Sequence, residues 1–449
     1  MKKKLSFREY VTVASMLFGM FFGAGNLIFP VSMGQQAGSQ VWITTLGFLI
    51  TGVGLPLLGV AALGISQSNG LFDLSSKAGR PYGMFFTCAL YLTIGPFFAI
   101  PRCATTSYTV GLEQILPEGH AKLFLLLFSL AFFAVTLFFS LRPGKILTWI
   151  GKVLNPCFLL FLGILLVVAL VSPGASISSV EPMGNYATQP FLTGFLEGYN
   201  TMDALAGLAF GIIVVQVIQG LGVKEPKDVA VSTVRSGIFS CLLMAVIYLA
   251  VAVVGTQSRG LFPAAENGGI ALAQIAQHYL RGVGLLVLAA TVTLDNMPVA
   301  LITSCSETFV GLFPKGPSYR VWAIVFCLMS FVFANLGLST IISYAVPVLM
   351  FLYPLAIALI LLALFGKFFG HSREVYVSTL VLTLVGAVYD LLRNLPENLR
   401  ALLHLDGLIE AVGNVLPLSG IGFGWVCPAI IGLAIGLLLH FSRRKKATA

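Results

Sequence analysis

Charge is what this chain has least of. Asp, Glu, Lys and Arg make up 10% of its 449 residues, where a soluble protein carries about 25%. So few polar groups cannot cover a water-facing surface, which excludes an ordinary soluble protein. Disorder is excluded too, because it needs low hydrophobicity and high charge. Cysteine is sparse and odd in number: Cys88, Cys103, Cys157, Cys241, Cys305, Cys327 and Cys427, with no CxxC pair. They read as small core hydrophobes rather than a disulfide framework or a metal site. Histidine is scarce as well. His120, His278, His371, His404 and His440 fall in loops or at the ends of apolar runs. With no HExxH and no Gly-x-Ser-x-Gly, a membrane enzyme is disfavoured. A channel would show a symmetric pore loop or a charged ring, and none is visible. A nutrient sensor would be expected to carry an added soluble domain, which the apolar runs leave no room for.

Hydrophobic residues are abundant, at 57%, with a mean hydropathy of +0.95. A bilayer core is crossed by about 20 apolar residues in a helix. Twelve apolar segments satisfy this, near 10–30, 40–65, 83–112, 122–141, 148–171, 192–221, 233–256, 282–309, 319–335, 339–364, 375–392 and 421–441. Their continuity argues against a β-barrel, whose strands are short and alternating. The third segment is long and is expected to tilt or to extend beyond the membrane. The stretch 262–280 is too polar to span and is expected to be a surface loop with a short helix.

The basic residues set an orientation. With the N-terminus in the cytoplasm, one side holds Lys2, Lys3, Lys4, Arg8, Lys77, Arg80, Arg142, Lys145, Lys152, Lys224, Lys227, Arg235, Lys315, Arg320, Lys367, Arg373, Arg443, Arg444, Lys445 and Lys446. The other holds only Lys122, Arg259, Arg281, Arg393 and Arg400. This bias is the positive-inside signal and predicts both termini in the cytoplasm. It also explains the net charge of +9 without nucleic acid. The basic opening MKKKLSFREY precedes an apolar run of full span length, so it is read as part of the first span and not as a cleaved signal.

Two segments carry features a regular spanning helix avoids, since broken backbone is tolerated only where it lines a cavity. In the first, Gly19, Gly23 and Gly25 thin the helix midway, Asn26 adds a polar side chain and Pro30 ends the run. This cluster can expose backbone groups to a ligand or serve as a packing face between helices. In the sixth, Asp203 lies mid-span in Glu197-Gly-Tyr-Asn-Thr-Met-Asp. An ionised Asp there costs about 2.5–3.5 kcal/mol, so it needs a wet cavity or a hydrogen-bonding neighbour. Glu197 reads as interfacial. Interruptions at corresponding positions of two halves point to the binding site of a secondary transporter. A half-helix N-terminus suits a carboxylate, and the facing half-helix C-terminus offers carbonyls to an ammonium or a sodium ion. Phe18, Phe21, Phe22, Phe29, Met202 and Leu205 surround the breaks and favour an apolar substrate side chain. Arg102, inside the third segment, reads as a gate residue paired with an acid, or as a fixed structural ion pair or a snorkelling charge.

The stretch opening GMFFGAGNLIFP at 19–30, GPFFAIPRCAT at 95–105, RPGK at 142–145, TMDALAGLAFG at 201–211, ITSCSETF at 302–309 and NLGLSTIISYAVPVLMFLYP at 335–354 resemble the branched-chain amino acid:cation symporters, in order over nearly the whole chain. The resemblance implies an all-α membrane protein of twelve helices. Two inverted five-helix repeats, about 10–171 and 192–364, would have helices 1 and 6 unwound, with helices 11–12 (about 375–441) added, as in leucine-transporter-like carriers. It implies import of leucine, isoleucine and valine across the bacterial inner membrane with sodium or protons. The expected partners are the amino acid and the bilayer.

The resemblance also assigns residues. Gly23, Ala24 and Gly25 would give backbone groups to the substrate carboxylate. Phe21 and Asn26 would lie near its amino group or a first cation, and Gly19 and Phe22 near a second. Tyr199, Thr201, Met202 and Asp203 would hold the ammonium, and Tyr91–Phe97 would line the pocket. In the eighth segment the family carries a Leu-Thr-Thr-Ala-type run with cation-binding hydroxyls. Here Thr293 is followed by Leu294, Asp295, Asn296, Met297 and Pro298. Asp295 and Asn296 could bind sodium as hard oxygen donors, Asp295 could carry a proton, or the run could be a simple kink. A proton-coupled or exchange carrier for another hydrophobic or thioether amino acid is the alternative.

Overall fold

The computed structural model describes residues 4–113, 116, 119–142, 155–223, 225–295 and 298–448. Among them there are helices and turns but no β-strand. Eight helical stretches are long and apolar enough to cross a membrane, and 158–171, 299–312 and 319–334 are shorter apolar helices.

The chain opens with α1 (Phe7–Phe21). Ser6 and Glu9 cap it reciprocally: the Glu9 amide donates to Ser6 Oγ at 3.4 Å and the Ser6 amide to Glu9 Oε2 at 2.7 Å, as the Ser-x-x-Glu spacing requires. After a break at 22–24 the chain re-enters a helix as α2 (Gly25–Ala37). Pro30 does not end this run. It sits inside α2, where it takes one N–H out of the ladder and the helix continues past it. The second segment is α3 (Val41–Leu49) and α4 (Leu55–Ser66), joined by a π-turn at Ile50–Gly54.

The third segment is not one long helix. It divides into α5 (Arg80–Leu92) and α6 (Ala99–Gly111) around a π-turn at Thr93–Phe97. The cause is local: Pro96 offers no N–H and steers Gly95 away from the helical region, and Gly95 lies at φ −99°, ψ −125°. Next come α7 (Ala121–Ser140) and α8 (Asn155–Val171). The sixth segment is α9 (Pro190–Glu197), a 3₁₀ turn at Gly198–Thr201, and α10 (Asp203–Gly220). Then follow α11 (Pro226–Ser258), α12 (Gly268–Asp295), α13 (Val299–Leu312), α14 (Tyr319–Ala334), α15 (Leu338–Phe365), α16 (Arg373–Arg393) and α17 (Val426–Thr448).

The short helix expected within a surface loop at 262–280 is the start of a long one, α12, which runs from Gly268 to Asp295. Asn267 starts α12 by accepting the Ile270 amide at 3.0 Å, a side-chain cap. Ala271, Leu272, Ala273, Ile275 and Ala276 are buried. The polar residues that suggested a loop form one face of a helix whose other face packs inward.

Polarity along α7 runs opposite to that of a soluble protein's helix. Leu123, Leu127 and Leu130 face outward, while Ser129, Thr136 and Ser140 are buried. Each hydroxyl is satisfied locally, as in Thr136 Oγ1 donating to Phe132 O at 2.8 Å, which suits a lipid-facing helix. Small residues bring α2 and α11 close. A methyl on Gly34 would fall 2.9 Å from Ala252 Cα, and one on Gly255 3.1 Å from Val31 Cα. Across this contact Thr256 Oγ1 donates to Gly34 O at 2.7 Å, the small-residue packing that membrane helices favour. Both breaks are buried in the bundle, through Phe22, Ala24 and Asn26 at the first and Thr201, Met202 and Asp203 at the second.

Candidate substrate site between two broken helices

A cavity of about 320 Å³ lies where the two breaks meet, within the size range of small-molecule sites. The first break supplies Gly19, Phe21, Phe22, Gly23, Ala24, Gly25 and Asn26 to its wall, and the second supplies Thr201, Met202 and Asp203. Apolar walls come from Met20, Ile94, Ala206, Phe210 and Leu301.

The first break forms because Phe22 is extended (φ −76°, ψ 116°), which stops α1, and α2 restarts after Ala24 without a side-chain cap. The Gly23 amide donates to Asn26 Oδ1 at 2.8 Å. That interaction removes the Gly23 N–H from the donors expected to face a carboxylate. The amides of Ala24 and Gly25 have no hydrogen-bond acceptor among the described residues, so they are the orphan donors of this helix start. The second break turns on Met202, which is left-handed at φ 66°, a conformation costly for a residue with a side chain. Thr201 Oγ1 stabilises the turn by donating to Gly198 O at 2.9 Å, and it accepts the Asp203 amide at 3.4 Å.

One cluster ties the breaks together. Asn26 Nδ2 donates to Asp203 Oδ2 at 2.6 Å, and Tyr248 Oη donates to the same oxygen at 2.9 Å. Asn26 Nδ2 also contacts Tyr248 Oη. All three residues are buried. Asn26 therefore serves both helices: its carbonyl holds the first break and its amide orients the carboxylate of the second.

Among the described residues Arg102 forms no ion pair with an acid, and it does not snorkel to the surface. It is 5% exposed and donates from Nη1 to Asn200 O at 2.7 Å and from Nη2 to Thr201 O at 3.4 Å. Its guanidinium lies 5.0 Å from the centre of the Phe29 ring, a cation–π contact. A methyl on Gly25 would come within 2.7 Å of Nη2. Arg102 thus occupies carbonyls that the sequence offered to an ammonium or sodium ion, and it places fixed positive charge beside the start of α2.

Other expected residues lie elsewhere. Tyr199 is off the cavity, buried, with its ring stacked on Tyr353 at 4.0 Å and 16°. Within Tyr91–Phe97, Ile94 reaches the cavity, whereas the Tyr91 hydroxyl donates to Ala209 O at 2.9 Å. Thr293, on α12, does not line the cavity; Pro298, Ala300, Leu301 and Ser304 represent the eighth segment there. Asn296 and the side chain of Asp295 lie outside the described residues. Tyr248 was not anticipated. It sits in an apolar run of the seventh segment, and only its position across from Asp203 gives it a role.

The chain matches the model of the branched-chain amino acid transport protein family over residues 6–443. It is 50% identical over 450 residues to a branched-chain amino acid permease BrnQ of Lactobacillus delbrueckii subsp. lactis, covering 100% of both chains. It is 38% identical over 447 residues to BrnQ of Bacillus subtilis, covering 99% of this chain and 100% of that one. Among solved structures it resembles a nucleobase-cation-symport-1 family transporter in a closed conformation with bromovinylhydantoin bound. The TM-score is 0.62 at 16% identity, over 97% of this chain and 92% of that one. A manganese transporter of Eremococcus coleocola gives a TM-score of 0.54 at 13% identity, over 97% of both chains. The helical architecture is therefore shared with membrane transporters, and the chain belongs to the branched-chain amino acid transport protein family.

Proposed function

We propose that this carrier imports leucine, isoleucine and valine by cation symport with alternating access, and that the substrate sits in the cavity between the two breaks. The observation that carries the reading is the polarity of that cavity. At one side the Ala24 and Gly25 amides begin α2 beside the Arg102 guanidinium. At the other lies the Asp203 carboxylate, oriented by Asn26 and Tyr248. A substrate carboxylate is favoured at the first side, by hydrogen bonds and the helix dipole. An ammonium is favoured at the second, by a charge-assisted hydrogen bond. Between them Met20, Ile94, Phe210 and Leu301 suit a branched aliphatic side chain. The names of the relatives, branched-chain amino acid permeases, support the same substrate class.

In this reading the breaks belong to helices 1 and 6 of two inverted five-helix repeats. The carrier lies in the bacterial inner membrane with both termini cytoplasmic. Sodium or a proton drives accumulation. Gly19 and Phe22, which line the cavity, together with Thr293, Asp295 and Asn296, are the cation ligands on the sodium branch.

The test is radiolabelled leucine uptake into proteoliposomes under an imposed sodium gradient, an imposed proton gradient, and neither. Accumulation under one gradient, competed by isoleucine and valine, is expected. Exchange without either gradient would make the protein an uncoupled carrier. Absence of leucine transport under all three conditions would overturn the substrate assignment.

A further inference from the structure

A second buried carboxylate lies away from the cavity. Asp390, on α16, is 1% exposed, and neither of its side-chain oxygens has a hydrogen-bond partner among the described residues. This is a costly condition for an ionised acid, because low dielectric penalises the charge and no hydrogen bond among the described residues compensates it. A protonated acid suffers far less. In membrane helices such residues mark ion or proton sites more often than structural ones.

A buried donor close to Asp390 is itself unused: the Tyr199 hydroxyl, which lies within its electrostatic reach, has no partner among the described residues. The carboxylate faces the loop that precedes α17: a methyl on Gly424 would sit 3.4 Å from Asp390 Oδ1. The positive charge that acts on it is Arg393, one turn further along α16, which forms no ion pair with it among the described residues and donates instead to the carbonyls of Ser419 and Gly420. In the neighbouring cap, Arg400 pairs with Asp406 at 3.7 Å, and Glu410 is exposed. Tyr389, on the same helix, approaches Gly413.

Tyr199 links this pocket to transport. It lies on the 3₁₀ turn at 198–201, whose last residue, Thr201, lines the cavity beside Asp203. Any rearrangement of that turn moves a buried hydroxyl relative to Asp390.

We propose that Asp390 is a proton-carrying site, separate from the substrate cavity and coupled to it through the Tyr199 turn. In the arrangement described here one carboxylate oxygen holds a proton taken from the aqueous phase. When the turn moves and donors come within reach, the carboxylate ionises and the same proton is released to the opposite aqueous phase. The inference rests on the cavity being the leucine site.

The experiment compares the full-length carrier with Asp390→Asn and Asp390→Glu in proteoliposomes, measuring two quantities. Leucine counterflow with no gradient reports the cavity. Leucine accumulation under an imposed pH gradient, with sodium absent, reports proton coupling. Asp390→Asn is expected to keep counterflow and to lose pH-driven accumulation by about tenfold or more, within the span of ordinary site-to-site coupling. Asp390→Glu is expected to restore part of it. Three results overturn the proposal: undiminished pH-driven accumulation in Asp390→Asn, an equal loss of counterflow in both variants, or a parent carrier with counterflow but no pH-driven accumulation. A parent without leucine counterflow would instead defeat the reading of the cavity.

Discussion

The two helix breaks face one cavity but are built from opposite materials. The first uses residues with little or no side chain, Gly23, Ala24 and Gly25, and offers backbone amides. The second is made of Thr201, Met202 and Asp203, held in a turn that places Met202 at a positive φ. The first break is close-fitted, with Arg102 filling the space beside Gly25. The second is strained and polar, and its carboxylate depends on hydrogen bonds from distant segments. One break presents backbone amides to the cavity and the other a side-chain carboxylate. A zwitterion needs both signs within one small volume, and a helix start naturally supplies only the positive one.

Substitutions should separate these modes. The largest effect is expected for Asp203→Ala. It removes the negative side and leaves the Asn26 amide and Tyr248 hydroxyl without their acceptor. Truncating one partner of a buried charged pair costs about 2–5 kcal/mol, so leucine binding measured by scintillation proximity should weaken by roughly a hundredfold or more. Retention within a few-fold would show that the carboxylate does not contact the ammonium.

Gly25→Leu is expected to come next. Already its Cβ would lie 2.7 Å from Arg102 Nη2, and overpacking costs about 1–3 kcal/mol. Leucine affinity should fall by roughly tenfold or more, with Gly25→Ala between parent and Gly25→Leu. A Gly25→Leu carrier of unchanged affinity would mean that the α2 start is not part of the site.

Tyr248→Phe keeps the ring but removes one of two donors to Asp203 Oδ2. Hydrogen bonds to charged groups are worth about 1.5–3 kcal/mol, and Asn26 remains, so a loss near the lower end, roughly tenfold, is expected in kcat/KM for uptake. An effect as large as that of Asp203→Ala would make the tyrosine itself a substrate ligand.

Met202→Gly should matter least. Left-handed backbone costs a residue with a side chain about 1–2 kcal/mol, and glycine removes that cost while adding unfolded-state entropy. The melting temperature should change little, and uptake should persist. A strong loss of uptake would show that the second break works through its Met202 side chain as well as its backbone.

The break positions were legible in the sequence because each is a local departure from an apolar background. A Gly-Ala-Gly-Asn cluster and a mid-span Asp cannot be hidden in a regular lipid-facing helix. The break in the third segment was missed, because its length was read as tilt or overhang, although Gly95-Pro96 carries the local signal for it. The helix at 268–280 was obscured because its polar residues share one face, which a composition average over the stretch does not reveal.

What the sequence by itself determined is the medium, the helical class and the family, together with the places where the backbone must depart from a helix. These follow from composition, run length and local backbone preference. Only the tertiary structure decided what the polar side chains do. Asn26 meets Asp203 across 177 positions and Arg102 meets Asn200 across 98. Tyr248 supports the same carboxylate, and Asp390 has no hydrogen-bond partner among the described residues. A buried charge is defined by its neighbours, and those neighbours come from helices far apart in the chain. Hydropathy located the charges, but only helix packing determined which neighbours each of them meets.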